Sequence, residues 1–161
     1  MSNTDISKTC FFTGHRVIPA DDCERIKENI RSRCIKLITD FGVTDFIAGG
    51  ALGFDTVAAL EILGLKRLYP QIKLHLYLPC INQSEKWRAY EKKMWDSIKL
   101  MADDYQYIVN APYITGCMQL RNHAMVNDAL YAIAYCTRTF GGTYQTVKYA
   151  KEKQRKIIYI K

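Results

Sequence analysis

The sequence contains no CxxC pair and no Cys–His spacing of the kind that holds zinc. Its six cysteines, Cys10, Cys23, Cys34, Cys80, Cys117 and Cys136, stand singly, several inside apolar runs where a reduced thiol acts as a small hydrophobe. Free thiols in a reducing compartment and no metal site are the expectation. No apolar run approaches the roughly 20 residues that span a bilayer. The stretch Met1–Lys8 is polar and lacks a signal-peptide core. A cytoplasmic protein with no membrane partner is expected. The chain has only four prolines, no Gly/Ser-rich linker and no internal repeat, so residues 1–161 are expected to form a single domain. A GKS or GKT sequence is also missing, which argues against a Walker-type ATPase.

Charge is unevenly spread. The net value is +7, with +1 over residues 1–80 and +6 over residues 81–161. Such a field favours anions in general. It is too modest to establish nucleic-acid binding, and the Lys148–Lys156 cluster reads first as a solvated helix face.

Two hydrophobic periods alternate along the chain. β runs are expected at Thr9–Thr13, Thr44–Ala48, Lys73–Leu78, Tyr105–Val109, Ala129–Tyr135 and Lys156–Ile160. Helices are expected at Asp21–Phe41, Phe54–Leu68, Ser84–Met101, Met118–Asn127 and Thr143–Lys153. Ile26, Ile30, Cys34, Leu37, Ile38 and Phe41 form the stripe of the first helix, which Asp21 or Asp22 can cap and Gly42 can end. Val57, Leu60 and Leu63 mark the packed face of the second. Trp87, Tyr90, Met94, Ile98 and Met101 mark one side of the third. Strict alternation predicts an α/β fold, a Rossmann-like three-layer domain with a mainly parallel sheet and helices on both faces. Right-handed crossovers then gather every strand-to-helix turn at the carboxyl edge, where such folds bind ligands.

Those turns carry the chemistry. Glycine lets backbone approach a ligand closely, and the free N–H groups of a first helical turn attract anions. Gly14, His15 and Arg16 follow the first strand; the guanidinium suits a phosphate, and the imidazole is a candidate donor or proton carrier. Gly49-Gly50-Ala51-Leu52-Gly53-Phe54-Asp55 has the glycine density of a dinucleotide fingerprint without its order. Asp55 has two readings, orienting a ribose hydroxyl or capping a helix. Arg121 and Asn122 offer several donors and one acceptor to a phosphate and its sugar. Gly141, Gly142 and Thr143 open the last helix, with Thr143 as phosphate ligand, N-cap or both. Trp87 or Tyr90 is a candidate for stacking on a base, against the alternative of core aromatics at helical spacing.

In order and spacing these turns resemble the SLOG superfamily, the Rossmann-like group of the Smf/DprA core and the LOG phosphoribohydrolases. Gly49–Asp55 is similar to the SG-x-A-x-GID stretch, Arg121-Asn122 to the RN pair, and Gly141–Thr143 to the last glycine turn of that group. Pro79, Gln83, Glu85, Lys86 and Trp87 follow the third strand as in the compact YpsA-like proteins of bacteria. The resemblance implies a nucleotide-type ligand, such as a nucleoside phosphate, NAD or ADP-ribose, surrounded by Gly14, Arg16, Gly49, Gly50, Asp55, Arg121, Asn122, Gly142 and Thr143. It implies no further cofactor. LOG enzymes carry a Glu shortly after the Thr of their last glycine turn; here Gln145 or Thr146 stands in that place. An amide cannot stabilise an oxocarbenium-like charge as a carboxylate does.

Three functions follow as expectations. The first is a module that senses or sequesters a nucleotide-derived small molecule. The second is an N-glycosidic hydrolase acting on a nucleotide, with Asp55 or Glu85 replacing the missing carboxylate. The third is single-stranded nucleic-acid binding through the basic second half. A homo-oligomer is compatible with all three.

Overall fold

A computed structural model describes residues 5–161. Six strands, β1 (Thr9–Gly14), β2 (Asp45–Ala48), β3 (Lys73–Leu78), β4 (Asp104–Tyr107), β5 (Tyr131–Tyr135) and β6 (Lys156–Tyr159), alternate with five helices. These are α1 (Cys23–Phe41), α2 (Phe54–Leu65), α3 (Ala89–Met101), α4 (Cys117–Asp128) and α5 (Gly142–Glu152). The strands form one sheet in the order β4-β3-β2-β1-β5-β6, and every pairing is parallel. β1 is central. Its Phe11 lies beside Ile47 of β2 and Ala132 of β5, and its last residue, Gly14, beside Tyr135. Strand order therefore reverses between β1 and β5, which opens a crevice at their carboxyl ends.

Side-chain alternation along the strands builds two cores. Cys10, Phe12, Phe46, Ala48, Leu74, Leu76 and Ile133 pack beneath the buried faces of α1, α2 and α3. Phe11, Ile47, Tyr77 and Ala132 pack on the other face with Met125 and Val126 of α4 and Ala150 of α5. Strands buried on both sides explain why β5 reads as a near-continuous apolar run, Tyr-Ala-Ile-Ala-Tyr.

Most element boundaries lie within a few residues of the sequence expectation, and three differences have physical causes. Asp22 does not cap α1; a single 3-10 turn, Ala20–Asp22, leads into the helix and Asp22 pairs with Arg25 at 3.1 Å. The helix ends as expected at Gly42, which is left-handed at φ 69°. In α2 the buried apolar residues are Phe54, Ala58, Ala59, Ile62 and Leu65, while Leu60 points outward. This helix is flanked by α1 and α3 as well as the sheet, so no single stripe describes its covered surface.

The third difference concerns α3, which starts at Ala89 and not at Ser84. The preceding segment is tied down by tertiary bonds: Gln83 Nε2 donates to the Gly50 carbonyl at 3.1 Å, and Asn82 Oδ1 accepts from the Tyr113 N–H at 2.8 Å. The Glu91 carboxylate then accepts from the Arg88 N–H at 2.9 Å and fixes the helix start. Trp95 and Ile98 form the buried face, and Tyr90, Met94 and Met101 are exposed.

Candidate functional site

A cleft of about 300 Å³ occupies the crevice between the ends of β1 and β5. The turn after β1 supplies Gly14, His15 and Arg16. The approach to α2 supplies Ala51 and Asp55. The first turns of α4 supply Met118, Arg121 and Asn122, and the segment after β5 supplies Arg138, Phe140, Gly141, Gly142 and Thr143. Segments far apart in sequence thus meet at one place.

Arg121 is the most constrained of these residues. It lies in the second turn of α4 and is 5% exposed. Its Nη1 donates to the Gly49 carbonyl and its Nε to Asn122 Oδ1 at 2.7 Å. Asn122 therefore holds the guanidinium as well as lining the cleft. Gly49 lies between two charges: a methyl group placed there would come within 2.8 Å of both Arg121 Nη1 and Asp55 Oδ2. A larger residue there would displace one or both of these side chains. Gly50 does not line the cleft; its carbonyl accepts from Gln83 Nε2, a residue of a separate hollow.

Asp55 is not a helix cap. Gly53 precedes α2, and no side chain caps the helix. The Asp55 carboxylate turns back and accepts from the Ala51 N–H at 3.2 Å, bracing the glycine loop. Burial pushes its pKa up to about 6, against the pull of the Arg121 charge, the Ala51 bond and the Arg16 charge. Burial also lowers the pKa of Arg121, opposed by Asp55 and reinforced by Arg16.

Arg16 is exposed and comes within 4.0 Å of Met118 Sδ, the sulfur that Arg121 Nη2 approaches to 3.9 Å. Two guanidiniums therefore converge on one thioether at the rim. Arg138 adds a third, placed over the Phe140 ring at 5.8 Å. Among the described residues Asp55 is the only carboxylate lining the cleft, so like charges face each other across a space that anionic oxygen would fill.

His15 acts as a strap. Its Nε2 accepts from the Thr137 N–H at 2.9 Å, and its carbonyl accepts from the Phe54 N–H at 3.1 Å. The turn after β1 is thereby bound to the loops after β2 and β5. Burial, aided by the Arg138 charge, lowers the imidazole pKa. The accepting Nε2 places the ring proton on Nδ1.

The α5 N-terminus opens onto this space through Gly141, Gly142 and Thr143, whereas α4 presents a side face, Met118, Arg121, Asn122 and Met125. Gly116 precedes α4 and Gly141 precedes α5, and neither helix has a side-chain cap. Thr143 lies in the first turn of α5 and is not its cap. Gly141 sits at φ +92°, a left-handed conformation that favours glycine, and a Cβ there would meet open space. The Thr146 hydroxyl donates to the Gly142 carbonyl at 2.8 Å, which turns it away from the cleft.

Trp87 stands apart. It lines a small hollow with Leu78, Trp95 and Tyr107, away from the phosphate-type donors. Glu85 is likewise outside the cleft, near Asn82. Sequence reasoning missed Arg138, Phe140 and Met118. Arg138 had a legible signal, since it follows the end of β5 by three residues much as Arg16 follows the end of β1 by two.

Residues 15–160 match the YspA SLOG family. The chain belongs to that family. Two bacterial relatives illustrate the range of likeness. A UPF0398 protein of Bacillus velezensis is 30% identical over 88 residues, covering 55% of this chain and 48% of the relative. The SPbeta prophage-derived protein YoqJ of Bacillus subtilis is 27% identical over 139 residues, covering 80% and 81%. The chain thus spans about half the length of several UPF0398 relatives. Among solved structures, DNA processing protein A from Helicobacter pylori, described for its single-stranded DNA binding mode, superimposes with a TM-score of 0.68 at 16% identity. That match covers 96% of this SLOG chain and 66% of the other. The Streptococcus pneumoniae protein gives 0.67 at 16% identity over 94% of this chain and 49% of the other. These likenesses establish the SLOG fold and the Rossmann-like architecture.

No helix among the described residues is long and apolar enough to cross a membrane. Among the same residues, no cluster of three or more His, Cys, Asp or Glu is placed to hold a metal ion.

Proposed function

We propose that this SLOG protein binds a nucleotide-derived small molecule, with its phosphate in the cleft between β1 and β5. The observation that carries this reading is the convergence of Arg16, Arg121 and Arg138 with the uncapped N-terminus of α5 around a space with one carboxylate among its described lining residues. Planar guanidiniums bind phosphate oxygens in bidentate fashion, and first-turn N–H groups add fixed partial positive charge. Arg121, pre-oriented by Gly49 and Asn122, loses little side-chain freedom on binding. Sensing or sequestration follows from binding without an evident catalytic pair. The N-glycosidic hydrolase reading reduces to Asp55, the sole carboxylate in the cleft.

Titration calorimetry with AMP, NAD and ADP-ribose at moderate salt tests the proposal. Binding by at least one, lost in Arg121→Met, is the expected result. Absence of heat and of any thermal shift across the panel rejects it. Single-stranded nucleic acid is the second reading, favoured by the net charge of +7 and by the single-stranded DNA binding mode of the Helicobacter pylori neighbour. It predicts oligonucleotide affinity that falls steeply with salt.

A further inference from the structure

A second recess of about 670 Å³ adjoins the cleft and shares its wall at Arg16 and Val17. It lies on the α2–α3 side of the sheet. Its wall is largely apolar, with Val17, Leu52, Val57, Tyr90 and Met94. Val17 is 75% exposed, Tyr90 61% and Met94 41%, so the fold's own packing leaves these side chains unused.

The polar groups of the recess are already partnered. The Trp95 indole N–H donates to Thr56 Oγ1 at 3.1 Å, and that hydroxyl donates to the Ala51 carbonyl at 3.0 Å. Arg88 Nη1 donates to the Tyr90 hydroxyl at 3.4 Å, and Glu91 accepts from the Arg88 N–H. An uncharged group entering here meets apolar surface and an aromatic ring without stranding a buried polar atom. Beside it stands Arg16, whose guanidinium faces the cationic cleft.

We propose that the recess holds the base of a nucleoside phosphate whose phosphate occupies the cleft, with Arg16 at the junction. This rests on the anion-binding reading of the cleft and deepens it, because it makes the ligand's planar group a determinant of affinity. The recess volume falls within the range of small-molecule sites, whereas the cleft alone is at its lower end. Tyr90 and Met94, a turn apart on α3, are the residues that select for a planar group over a bare sugar phosphate.

Calorimetry at one ionic strength with ribose 5-phosphate and with AMP, GMP, CMP and UMP tests this. At least one nucleotide is expected to bind ten-fold or more tightly than ribose 5-phosphate. In the double variant Tyr90→Ala, Met94→Ala that ratio is expected to fall to about one. Both side chains are exposed, and thermal melting checks that the variant is folded. Equal affinity for ribose 5-phosphate and every nucleotide overturns the inference and leaves the cleft reading standing. Binding of none of the five overturns both. A double variant with an unchanged ratio and a changed solution mass by light scattering also overturns it, because the recess is then an interface between copies.

Discussion

Asp55→Asn should stabilise the protein, and by an amount that depends on pH in a calculable way. The folded-state pKa of Asp55 is about 6, against an unfolded value of 3.8. A carboxyl whose pKa is raised on folding binds its proton more tightly in the native state. Between those two values the native state holds more protons than the unfolded state, so stability falls as pH rises, and it is flat above pH 6. That upward displacement corresponds to a cost of about 3 kcal/mol at pH 8. The same linkage gives about half that cost at pH 5 and a small fraction of it at pH 4. Asparagine keeps an oxygen to accept the Ala51 N–H bond and removes the ionisation. Urea unfolding of both proteins at the three pH values should therefore show a midpoint gain that is largest at pH 8 and nearly gone at pH 4. The variant should also bind anions more tightly at pH 8, since the cleft loses its single negative charge. A variant that is less stable at pH 8 than at pH 4, relative to wild type, would refute the account of Asp55 as a buried, unfavourably ionised group. Unchanged turnover of a nucleotide by this variant would separately remove Asp55 from any hydrolytic mechanism.

Further outcomes follow from the same geometry. Arg121→Met removes the charge that faces Asp55 and the donor to the Gly49 carbonyl; a loss of up to about 3–5 kcal/mol is expected at pH 8, smaller at pH 5 where Asp55 takes a proton. Chemical denaturation at the two pH values reads this difference. Gly53→Ala combines a φ of +77° with a Cβ only 2.2 Å from the Arg16 carbonyl oxygen, so a loss of at least about 2 kcal/mol is expected. Gly141→Ala, strained at φ +92° but in open space, should cost less in the same denaturation series. Among the thiols, Cys23 and Cys136 should react first with an aromatic disulfide reagent, and Cys10, Cys34, Cys80 and Cys117 only on unfolding, as peptide mapping by mass spectrometry will show. Burial raises the pKa of Cys10 and Cys34, which reinforces that order.

The elements that were legible in the sequence are those whose pattern one neighbour dictates. The α1 stripe Ile26, Ile30, Cys34, Leu37 and Ile38 is read correctly because that helix covers one side of the core and meets solvent on the other. Phe41, counted in the same stripe, is 52% exposed, since the helix is ending and its last turn overhangs the sheet. The stripe expected on α3 holds only in part, for a different reason. Its Ile98 is buried, but Tyr90, Met94 and Met101 are exposed, and the helix buries Trp95 beside Ile98. Periodicity identifies that a helix exists without saying which of two apolar faces meets the core. On α3 the sequence supplies two such faces, and only the anchoring of Gln83 to Gly50 and of Trp95 to Thr56 selects between them.

The cleft shows the same division between local signal and distant cause. Gly141 and Thr143 are recognisable from the sequence because a glycine turn and a helix start are local events. The environment of Asp55 is not, because its raised pKa depends on Arg121, 66 positions later, on Ala51 and on how completely the packed loops exclude water. A strand-glycine-acid motif therefore indicates where a carboxylate will lie but not its charge at neutral pH. That charge decides whether the cleft faces an anion with three positive groups and one negative, or three positive groups alone. Near pH 6 both states are populated, and an anionic ligand favours the protonated one. Phosphate binding should then draw protons into the site, with an uptake that peaks between the Asp55 pKa values of the free and the liganded protein. Calorimetric titrations in buffers of different ionisation enthalpy measure that uptake directly, and its absence near pH 6 would mean that the ligand does not sense Asp55.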